Sequence, residues 1–383
     1  MHFSVEAAAL QRAFTVLNPV IPRRSLIPIT SNVLLRFSGE RLEIVTNNLD
    51  QAMRIRLRAE GTAGEATVNG QRFMALVQAA PEGAQIGVSL AADFVDIKYG
   101  RSRFKLATLP VADFPVPPKS ETTTRRLALQ KGELAHLLAV GWAVSSEETR
   151  YYLCGVYLHD AGDEIVAVAT DGHRLARHTM ARPTEWDDAT TTGGIIPTEA
   201  VRYLKSAVGD RACELTLSES AVEVTFNMPE PDGPVSFRSK LIDGSFPDYN
   251  RVIPASDQRA AVATIIVANL RAALKRCSVA LSAVERLDKA AVKPKVAVTF
   301  TLHDGTLELR AAGDFGESYN EVLDIDWTGD TRTIGVNRDY FDGAAEIVDS
   351  EKMLLMPGDA GDPMRIEPES RDGRVYVVMP MRV

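Results

Sequence analysis

The stretch "LQRAFTVL" at residues 10–17 carries the pattern from which the fold of this chain can be inferred. Its apolar residues lie at positions i, i+3, i+4 and i+7, a spacing that brings side chains to one face of an α-helix. The same spacing returns in "LAHLLAVG" (134–141) and in "LRAALKRC" (270–277), at successive steps of 124 and 136 residues. Self-similarity at a regular period indicates repeated structural units, and here it predicts three copies of one unit.

A second helix is predicted in each copy. Its apolar stripe begins at Phe73, Val201 and Phe341, at steps of 128 and 140 residues that keep pace with the first series. An apolar residue followed by Asn or Pro stands shortly before each stripe. These pairs are Val68-Asn69, Ile196-Pro197 and Val336-Asn337. The matched spacing of the two series argues against chance amphipathicity.

Runs of alternating apolar or β-branched residues connect the helices, and three of them predict β-hairpins around a turn that contains glycine. They are "NVLLRFSGERLEIVT" (32–46), "GVYLHDAGDEIVAVAT" (155–170) and "VAVTFTLHDGTLELRAA" (296–312). The predicted fold class is therefore α+β, with three repeated domains that each pack two helices on one face of antiparallel sheets. Polar stretches with proline at 116–126 and 253–261 place the domains at 1–120, 125–254 and 260–383. The alternative is three unrelated α+β pieces.

Charge is distributed unevenly over the 383 residues. The net charge is −8, which by itself does not predict a nucleic-acid partner, because nucleic-acid-binding domains are usually basic. The six predicted helices nevertheless contain nine basic and six acidic side chains. They span 6–17, 70–80, 131–143, 197–208, 268–281 and 337–348. If they share one surface, that surface attracts phosphate groups while the rest of the protein repels them. The alternative is a solvated face with no partner.

Several classes of protein are disfavoured. No apolar run approaches the roughly 20 residues that cross a bilayer, and the start "MHFSVEAAALQ" lacks the features of a signal peptide. Cys154, Cys213 and Cys277 lie far apart without the spacing of metal ligands, which predicts reduced thiols in a cytoplasmic protein. No metal, cofactor or membrane partner is expected.

The stretch "ATDGHRLA" (169–176) raises the possibility of catalysis, because Asp171 could orient His173 as a general base. Gly172 between them indicates a turn or a bulge. The chain contains no GxSxG motif, no paired metal ligands and no glycine-rich phosphate loop. A non-catalytic role is therefore expected, with a DNA-modifying enzyme centred on Asp171 and His173 as the alternative.

Six stretches, taken together and in this order, carry a family resemblance. They are "IPITSNVLL" (27–35), "GRSRFKLATLPVADFP" (100–115), "ETRYYLCGV" (148–156), "VATDGHRLA" (168–176), "SKLIDGSFPDYNRVIP" (239–254) and "VYVVMPMRV" (375–383). Over essentially its whole length the chain resembles the bacterial DNA polymerase III β subunits, the sliding clamps. The resemblance implies three DNA-clamp domains per chain and a head-to-tail ring dimer that encircles double-stranded DNA. It also implies a processivity factor that is not an enzyme and needs no cofactor.

The resemblance further implies a peptide-binding pocket between the second and third domains. Its residues are Leu153, Thr170, Gly172, His173, Arg174, Leu175, Pro247, Arg251, Val252, Val377, Met379, Pro380, Met381 and Arg382. Apolar side chains would form its floor, while backbone and arginine groups would orient the peptide. The implied partners are the replicative polymerase, clamp-loader subunits, and repair polymerases and mismatch-repair proteins that carry short motifs.

Two further sets of residues follow from the resemblance. The DNA contacts are expected at Arg24, Arg72, Tyr151, Tyr152, Arg202 and Lys205, with packing in the core as the alternative for one of the tyrosines. The dimer interface is expected at Phe104, Leu106 and Val279. The sequence departs from the family pattern at Glu147, Gln71 and Thr198-Glu199, which weakens the basic character of the DNA-contacting surface. The stretch 283–295 also fits the family poorly, so a divergent clamp paralogue with altered partners is a further alternative.

Overall fold

The computed structural model describes residues 1–116, 125–183, 193–229, 233–255, 261–281, 296–313, 316–359 and 361–382. The stretch 283–295, most of the two predicted domain boundaries and Val383 lie outside these residues. Contacts divide the chain into two compact units. Unit 1 consists of Met1–Ala135 and Pro183–Asp243, and unit 2 consists of His136–Arg182 and Gly244–Val383. The predicted second domain contributes to both units, and its boundaries stay a prediction.

The predicted helices are present in the part of the chain that the structure describes. They are α1 (Ala7–Leu17), α2 (Gly70–Gln78), α3 (Glu133–Leu138), α4 (Thr198–Ala207), α5 (Val267–Leu281) and α6 (Arg338–Ile347). The predicted stripes are buried: Phe14 of α1 packs edge-on against Phe73 of α2, with ring centroids 5.3 Å apart.

The prediction of one helix over 131–143 was wrong in its second half. Helix α3 ends at Leu138, and a 3-10 helix follows from Ala139 to Ala143. Gly141 and the β-branched Val140 are poor α-helix formers. In the tighter 3-10 winding, residues three apart eclipse one another, so Val140 and Ala143 point the same way, and both are fully buried.

The apolar-Asn pairs before two of the second-series helices act as N-caps. The Asn69 side chain accepts a hydrogen bond from the backbone N–H of Arg72 at 3.0 Å. The Asn337 side chain accepts from the N–H groups of Asp339 and Tyr340, at 2.9 and 3.3 Å. Each cap satisfies donors that the first turn of a helix leaves without a partner. In the second copy Pro197 precedes α4 and makes no such bond through its side chain.

The strands confirm the predicted hairpins. They are β1 (His2–Glu6), β2 (Asn32–Ser38), β3 (Arg41–Asn47), β4 (Gln51–Arg58), β5 (Glu60–Thr62), β6 (Gly64–Asn69), β7 (Gln85–Ala91), β8 (Phe94–Tyr99), β9 (Ser102–Ala107), β10 (Arg125–Leu129), β11 (Gly155–Asp160), β12 (Glu164–Thr170), β13 (Arg174–Ala181), β14 (Gly193–Pro197), β15 (Cys213–Leu217), β16 (Ala221–Asn227), β17 (Pro234–Lys240), β18 (Ala263–Ile266), β19 (Ala297–His303), β20 (Thr306–Ala312), β21 (Ser318–Asp324), β22 (Arg332–Asn337), β23 (Lys352–Met356), β24 (Met364–Pro368) and β25 (Val375–Val378).

The strands of each unit form antiparallel sheets. In unit 1, one sheet has the order β5-β1-β7-β8-β9 and another has the order β10-β15-β16-β17-β4-β3-β2-β6. In unit 2, strands follow the orders β11-β12-β13-β25-β24-β23-β18 and β21-β20-β19-β22. The last strand β25 therefore lies directly beside β13, which begins at the "TDGHRL" stretch. No helix of the described residues is long and apolar enough to cross a membrane.

Candidate functional site

The "TDGHRL" stretch forms a tight turn between β12 and β13. The Asp171 carboxylate accepts hydrogen bonds from the backbone N–H groups of His173 and Arg174, at 2.8 and 3.0 Å. The Thr170 hydroxyl donates to the carbonyl of Arg174 at 2.7 Å and accepts from the N–H of Gly172 at 3.1 Å. Gly172 has φ +88°, in the left-handed region that favours glycine. The prediction of a turn at this glycine is confirmed.

Strand β25 extends this turn into a wall. Register pairs Arg174 with Val378 and Leu175 with Val377, and the N–H of Met379 donates to the carbonyl of His173 at 2.8 Å. Leu175 and Val377 belong to a buried apolar cluster. Its other members are Val166, Val168, Tyr249 and Val375. The structure thus brings the turn and the "VYVVMPM" strand together, as the family resemblance implied, and the binding of a peptide there stays a prediction. We call this arrangement of 170–175 and 377–381 the docking wall.

Arg174 is engaged inside the wall. Its Nε donates to Asp171 Oδ2 at 3.0 Å, and its guanidinium lies 4.8 Å from the ring centroids of both Trp142 and Tyr340. Stacking between two aromatic faces adds cation–π attraction to the ion pair. Gly343 allows the close approach, because a Cβ on this residue would lie 3.0 Å from the Trp142 ring. Arg174 therefore holds neighbouring parts of the wall together, and its expected role in orienting a peptide stays a prediction.

The segment before the third repeat covers one side of the apolar cluster. Tyr249 begins a 3-10 helix that ends at Val252, and its hydroxyl lies 2.9 Å from His159 Nε2. Arg251 pairs with Asp248 at 3.0 Å. Val252 is 44% exposed and Pro247 is also exposed, so this segment presents apolar surface to solvent near its buried tyrosine.

Arg150 and Glu147 form an ion pair beside the turn. A Cβ on Gly172 would lie 3.0 Å from Nη1 of Arg150, so the guanidinium lies against the turn. Hydrogen bonds from Arg150 and Thr149 lower the pKa of the Glu147 carboxyl below its ordinary value. The acidic residue that departs from the family pattern is thus kept ionised beside the docking wall.

The remaining predicted wall residues differ in exposure. Leu153 is buried at the end of the 3-10 helix Glu148–Leu153, and its carbonyl accepts from the N–H of Ser145 at 3.0 Å. Met379, Pro380 and Met381 are half-buried, and Arg382 is exposed. The N–H of Met381 donates to the carbonyl of Gly335 at 2.8 Å, which holds this segment in place.

The geometry does not support a catalytic pair at Asp171 and His173. The carboxylate of Asp171 accepts hydrogen bonds from the backbone of its own turn and from the Arg174 side chain. The His173 ring stacks on Tyr340, with ring centroids 6.2 Å apart. Within the described residues, no group of three or more His, Cys, Asp and Glu side chains could hold a metal ion.

The expected DNA contacts lie in both units. In unit 1, Arg24, Arg72, Arg202 and Lys205 are exposed, and Arg202 pairs with Glu199 at 2.8 Å. In unit 2, Tyr151 is 54% exposed and Tyr152 is half-buried, with their rings edge-on at 5.7 Å. Neither tyrosine is buried in the core, and their contact with DNA stays a prediction.

The expected interface residues lie at edges of the two units. Phe104 and Leu106 are half-buried on β9, the edge strand of its sheet in unit 1. Val279 is 71% exposed on α5 in unit 2. Strand β21, with Val322 57% exposed, is the edge strand of the last sheet and was not predicted from the sequence as an interface element.

Sequence reasoning missed Trp142 and Tyr340, the two rings that hold Arg174. Neither lies in a motif, and no spacing rule connects two residues about 200 positions apart. It also missed His178, which is buried between the His136 carbonyl at 2.7 Å and the Tyr376 hydroxyl at 2.9 Å. Burial lowers the pKa of His178 from 6.5 to about 3. This histidine ties β13 to β25 behind the docking wall.

Comparison with known proteins covers the whole chain. Three family models match in order: the N-terminal domain of the DNA polymerase III beta subunit at residues 1–118, its central domain at 128–248 and its C-terminal domain at 250–382. The beta sliding clamp of Caulobacter vibrioides is 33% identical over 401 residues, and that of Escherichia coli K12 is 28% identical over 389 residues. Both alignments cover 100% of this chain and of the relative.

Solved structures of beta sliding clamps have the same fold as this chain. The crystal structure of the Caulobacter crescentus beta sliding clamp matches with a TM-score of 0.89 and 30% identity, over 100% of this chain and 99% of the other. The sliding clamp of Bartonella birtlesii, solved bound to griselimycin, matches with a TM-score of 0.88 and 30% identity over 100% of both chains.

Proposed function

Because this chain belongs to the DNA polymerase III beta subunit family, we propose that two copies join head to tail into a ring around double-stranded DNA. The chain is a sliding clamp, a non-catalytic processivity subunit of a DNA polymerase. A ring that encloses the duplex holds it without reading its sequence, since phosphate contacts carry no sequence information. Neither a DNA-modifying enzyme nor a divergent paralogue is favoured by relatives that match over their full length.

The docking wall is the proposed site for short peptide segments of partner proteins. The observation that supports it is the junction of the turn with β25, where Met379 donates to His173 and the apolar Leu175 and Val377 lie side by side. Met379 and Met381 are half-buried beside this floor, and methionine adapts its shape to different apolar ligands. One adaptable pocket suits a protein that serves several partners in turn.

The proposed partners share this pocket. They are the replicative polymerase, clamp-loader subunits, repair polymerases and mismatch-repair proteins, each through a short glutamine-plus-hydrophobic motif. Because all of them would occupy the same wall, their binding is competitive. The cytoplasm is the proposed place of action.

DNA contact is proposed for the exposed cations of the helical and loop surface. Arg24 and Arg72 carry no acidic partner among the described residues, whereas Arg202 shares its charge with Glu199. Arginine forms strong, salt-dependent hydrogen bonds with phosphate, and tyrosine at 151 and 152 can stack or donate. A mixture of free and paired cations predicts a loose contact that permits sliding.

Edge strands supply the proposed seam of the ring. Strand β9 of one chain would pair with β21 of the other, which would leave neither edge exposed to unwanted pairing. Their charges are complementary: β9 carries Arg103 and Lys105, and β21 carries Glu321 and Asp324. Val279 on α5 remains a proposed neighbour of the same seam, since Tyr319 of β21 donates to the carbonyl of Ala273 on that helix at 2.8 Å.

The experiment that tests the docking wall is a titration with a fluorescent clamp-binding peptide. Full-length protein and a chain that lacks Met379–Val383 are compared by fluorescence anisotropy. We expect binding to the full chain and its loss in the truncated chain, because the truncation removes the segment that continues β25 and is hydrogen-bonded to His173 through Met379. Both proteins should keep the same far-UV circular dichroism. Equal affinity of the two chains would contradict the assignment of the wall.

A further inference from the structure

One face of the first repeat carries a dense array of arginines. Strands β2, β3 and β4 contain six charged residues, five basic and one acidic, so these strands are strongly positive in a chain of net charge −8. Cross-strand pairs place all six on one face of the sheet. They are Arg36, Arg41, Glu43, Arg54, Arg56 and Arg58. We call this set the arginine face.

The arginine face points away from the helices. Its residues on β4 alternate with Met53, Ile55 and Leu57, which are buried. Met53 accepts a hydrogen bond from the Tyr203 hydroxyl of α4 at 3.2 Å, so the opposite side of β4 faces solvent. The side chains of Arg36, Arg54 and Arg56 are 42%, 42% and 45% exposed.

Glu43 organises the array without neutralising it. Its carboxylate, only 13% exposed, lies 3.1 Å from Arg56 Nε, 3.3 Å from Arg36 Nη1 and 3.4 Å from Arg54 Nε. One carboxylate cannot balance three guanidinium groups, and Glu65 adds a single further partner at 3.0 Å from Arg36. Arg54 Nε is buried and has no hydrogen-bond partner among the described residues. The guanidinium groups are therefore held side by side with donors to spare.

The arginine face lies largely on β3 and β4, which correspond in the first repeat to β12 and β13 of the second, on the face that carries the apolar cluster there. The N–H of Lys240 donates to the carbonyl of Asp50 at 2.9 Å, as Met379 donates to His173. Asn48 accepts from the N–H groups of Asp50 and Gln51, as Asp171 does from His173 and Arg174. Both turns therefore have the same hydrogen-bond pattern.

The left-handed residue of the turn also corresponds. Leu49 has φ +82° where the second repeat has Gly172 at +88°. The left-handed backbone conformation is strained for leucine. The Leu49 side chain is 45% exposed, so the turn presents it to solvent. The two turns are thus equivalent in backbone conformation while they differ in the side chain that they present.

The chemistry of the two copies has diverged. Register equates three residues of the apolar cluster, Val166, Leu175 and Val377, with three residues of the first repeat. These are Glu43, Ala52 and Arg238. Charged residues thus replace apolar ones at two of these three positions, while Ala52 is apolar and buried. The strands β11–β13 carry two acidic and two basic residues, and β19–β21 carry three acidic and one basic residue. Among these three equivalent sets of strands, positive charge is concentrated in the first.

We propose that the arginine face is a docking surface for an acidic segment of a partner protein. Side-by-side guanidinium groups match the bidentate geometry of carboxylates. A nucleic acid fits less well, because Phe37, the aromatic residue of these strands, is buried and offers no stacking platform. On the proposed function, moreover, DNA lies at the helices, on the other side of the sheet. Peptide segments would thus dock on corresponding strands of two repeats. They would make ion pairs at the arginine face of the first repeat and apolar contacts at the docking wall of the second.

A charge-reversal experiment tests this proposal. The probe is a fluorescein-labelled octaglutamate, titrated by anisotropy against the full chain at low salt. Arg54→Glu/Arg56→Glu should weaken binding by about 10-fold or more, because it removes two charge-assisted contacts. Glu43→Gln should strengthen it several-fold, since it removes the one carboxylate of the face. Arg126→Glu, on the far strand β10 of the same sheet, is the matched control and should change affinity by less than about two-fold.

Unchanged octaglutamate binding in Arg54→Glu/Arg56→Glu would overturn the proposal. A second contrary outcome is a single-stranded oligothymidylate that binds the wild type more tightly than octaglutamate and loses its binding in the same variant. Far-UV circular dichroism and urea unfolding of each variant check that the mutated unit is intact. If the double reversal fails to fold, Arg54→Gln/Arg56→Gln replaces it with the same expected direction. Failure of the clamp-binding peptide on the wild type would count against the docking wall alone.

Discussion

At the scale of single residues, the contacts of Asp171 and His173 show which of the roles suggested by their motif the geometry permits. Asp171 and His173 stand two positions apart, the arrangement of a base and its orienting acid. The carboxylate is used instead to hold the backbone of its own turn, and the imidazole stacks on Tyr340. A short polar stretch is therefore as consistent with a shaped wall as with catalysis, and hydrogen-bond partners decide between them.

His178 makes the stability of the wall depend on pH. The folded protein lowers the pKa of this histidine from 6.5 to about 3, chiefly through burial. The unfolded chain gains a proton near pH 6.5 while the folded chain stays neutral. The contribution of His178 to the free energy of unfolding should therefore be constant above about pH 6.5. Below that pH it should fall by about 1.4 kcal/mol per pH unit, until the folded pKa of about 3 is reached.

Urea unfolding between about pH 7 and about pH 5 measures this dependence. His178→Gln keeps a polar side chain but cannot titrate, so its unfolding free energy should change less steeply over the same interval. Parallel pH profiles of the two proteins would show that His178 does not contribute.

Much of the site could be predicted at this scale, but only where neighbours in sequence are neighbours in space. Gly172 between polar residues indicated a turn, and the apolar β25 indicated a floor. The stacking of Trp142 and Tyr340 on Arg174 could not be predicted, because it depends on how the 3-10 helix Ala139–Ala143, α6 and β13 pack. A stacked arginine and a peptide-binding arginine have the same sequence signal.

At the scale of secondary-structure elements, the periodicity of apolar residues predicted that a helix exists better than it predicted where the helix ends. Five helices agree with their predicted stripes to within a few residues, whereas α3 stops at Leu138 and continues as a 3-10 helix. The stripe Leu134, Leu137 and Leu138 is buried as expected. The helix ends early because Gly141 and Val140 weaken it where tertiary packing can use a tighter winding.

The N-cap of α6 links an element to the site. Asn337 is buried and caps Tyr340, the residue that stacks on Arg174. Asn337→Ala should lower the free energy of unfolding by about 1 kcal/mol, because two backbone donors lose their acceptor. The same variant should weaken clamp-peptide binding, since Tyr340 would be held less firmly. Asn337→Asp, which keeps the acceptor, should retain both properties in urea unfolding and in anisotropy; an alanine variant as stable as the wild type would refute the capping role.

At the scale of the whole molecule, the sequence contains three repeats, whereas the contacts between residues divide the same chain into two units. Strand β17, from the predicted second domain, pairs with β4 of the first, and β25, from the third, pairs with β13 of the second. Sheets that continue from one repeat to the next bind neighbours together, so contact density does not follow the sequence boundaries. Repeats were visible in the sequence; the continuity of the sheets was not.

The seam of the ring gives a prediction about assembly. Leu106→Arg on β9 should convert dimers to monomers in sedimentation velocity, because it places a charge in the apolar part of an edge pairing. Retention on circular DNA should be lost, while clamp-peptide affinity should be unchanged. Val116→Arg, at an exposed apolar residue outside the strand, is the control and should remain dimeric. A fully dimeric Leu106→Arg protein would rule out β9 as the seam.

The clasp around Arg174 has a spectroscopic consequence. The chain has three tryptophans, and Trp142 is one whose indole lies against a guanidinium at 4.8 Å. Indole emission responds to nearby charge and to solvent, so this ring reports on the position of the arginine behind it. Trp142 thus places a fluorophore against Arg174 of the docking wall, and on the proposed function the binding of an unlabelled peptide should change the intrinsic emission of the protein.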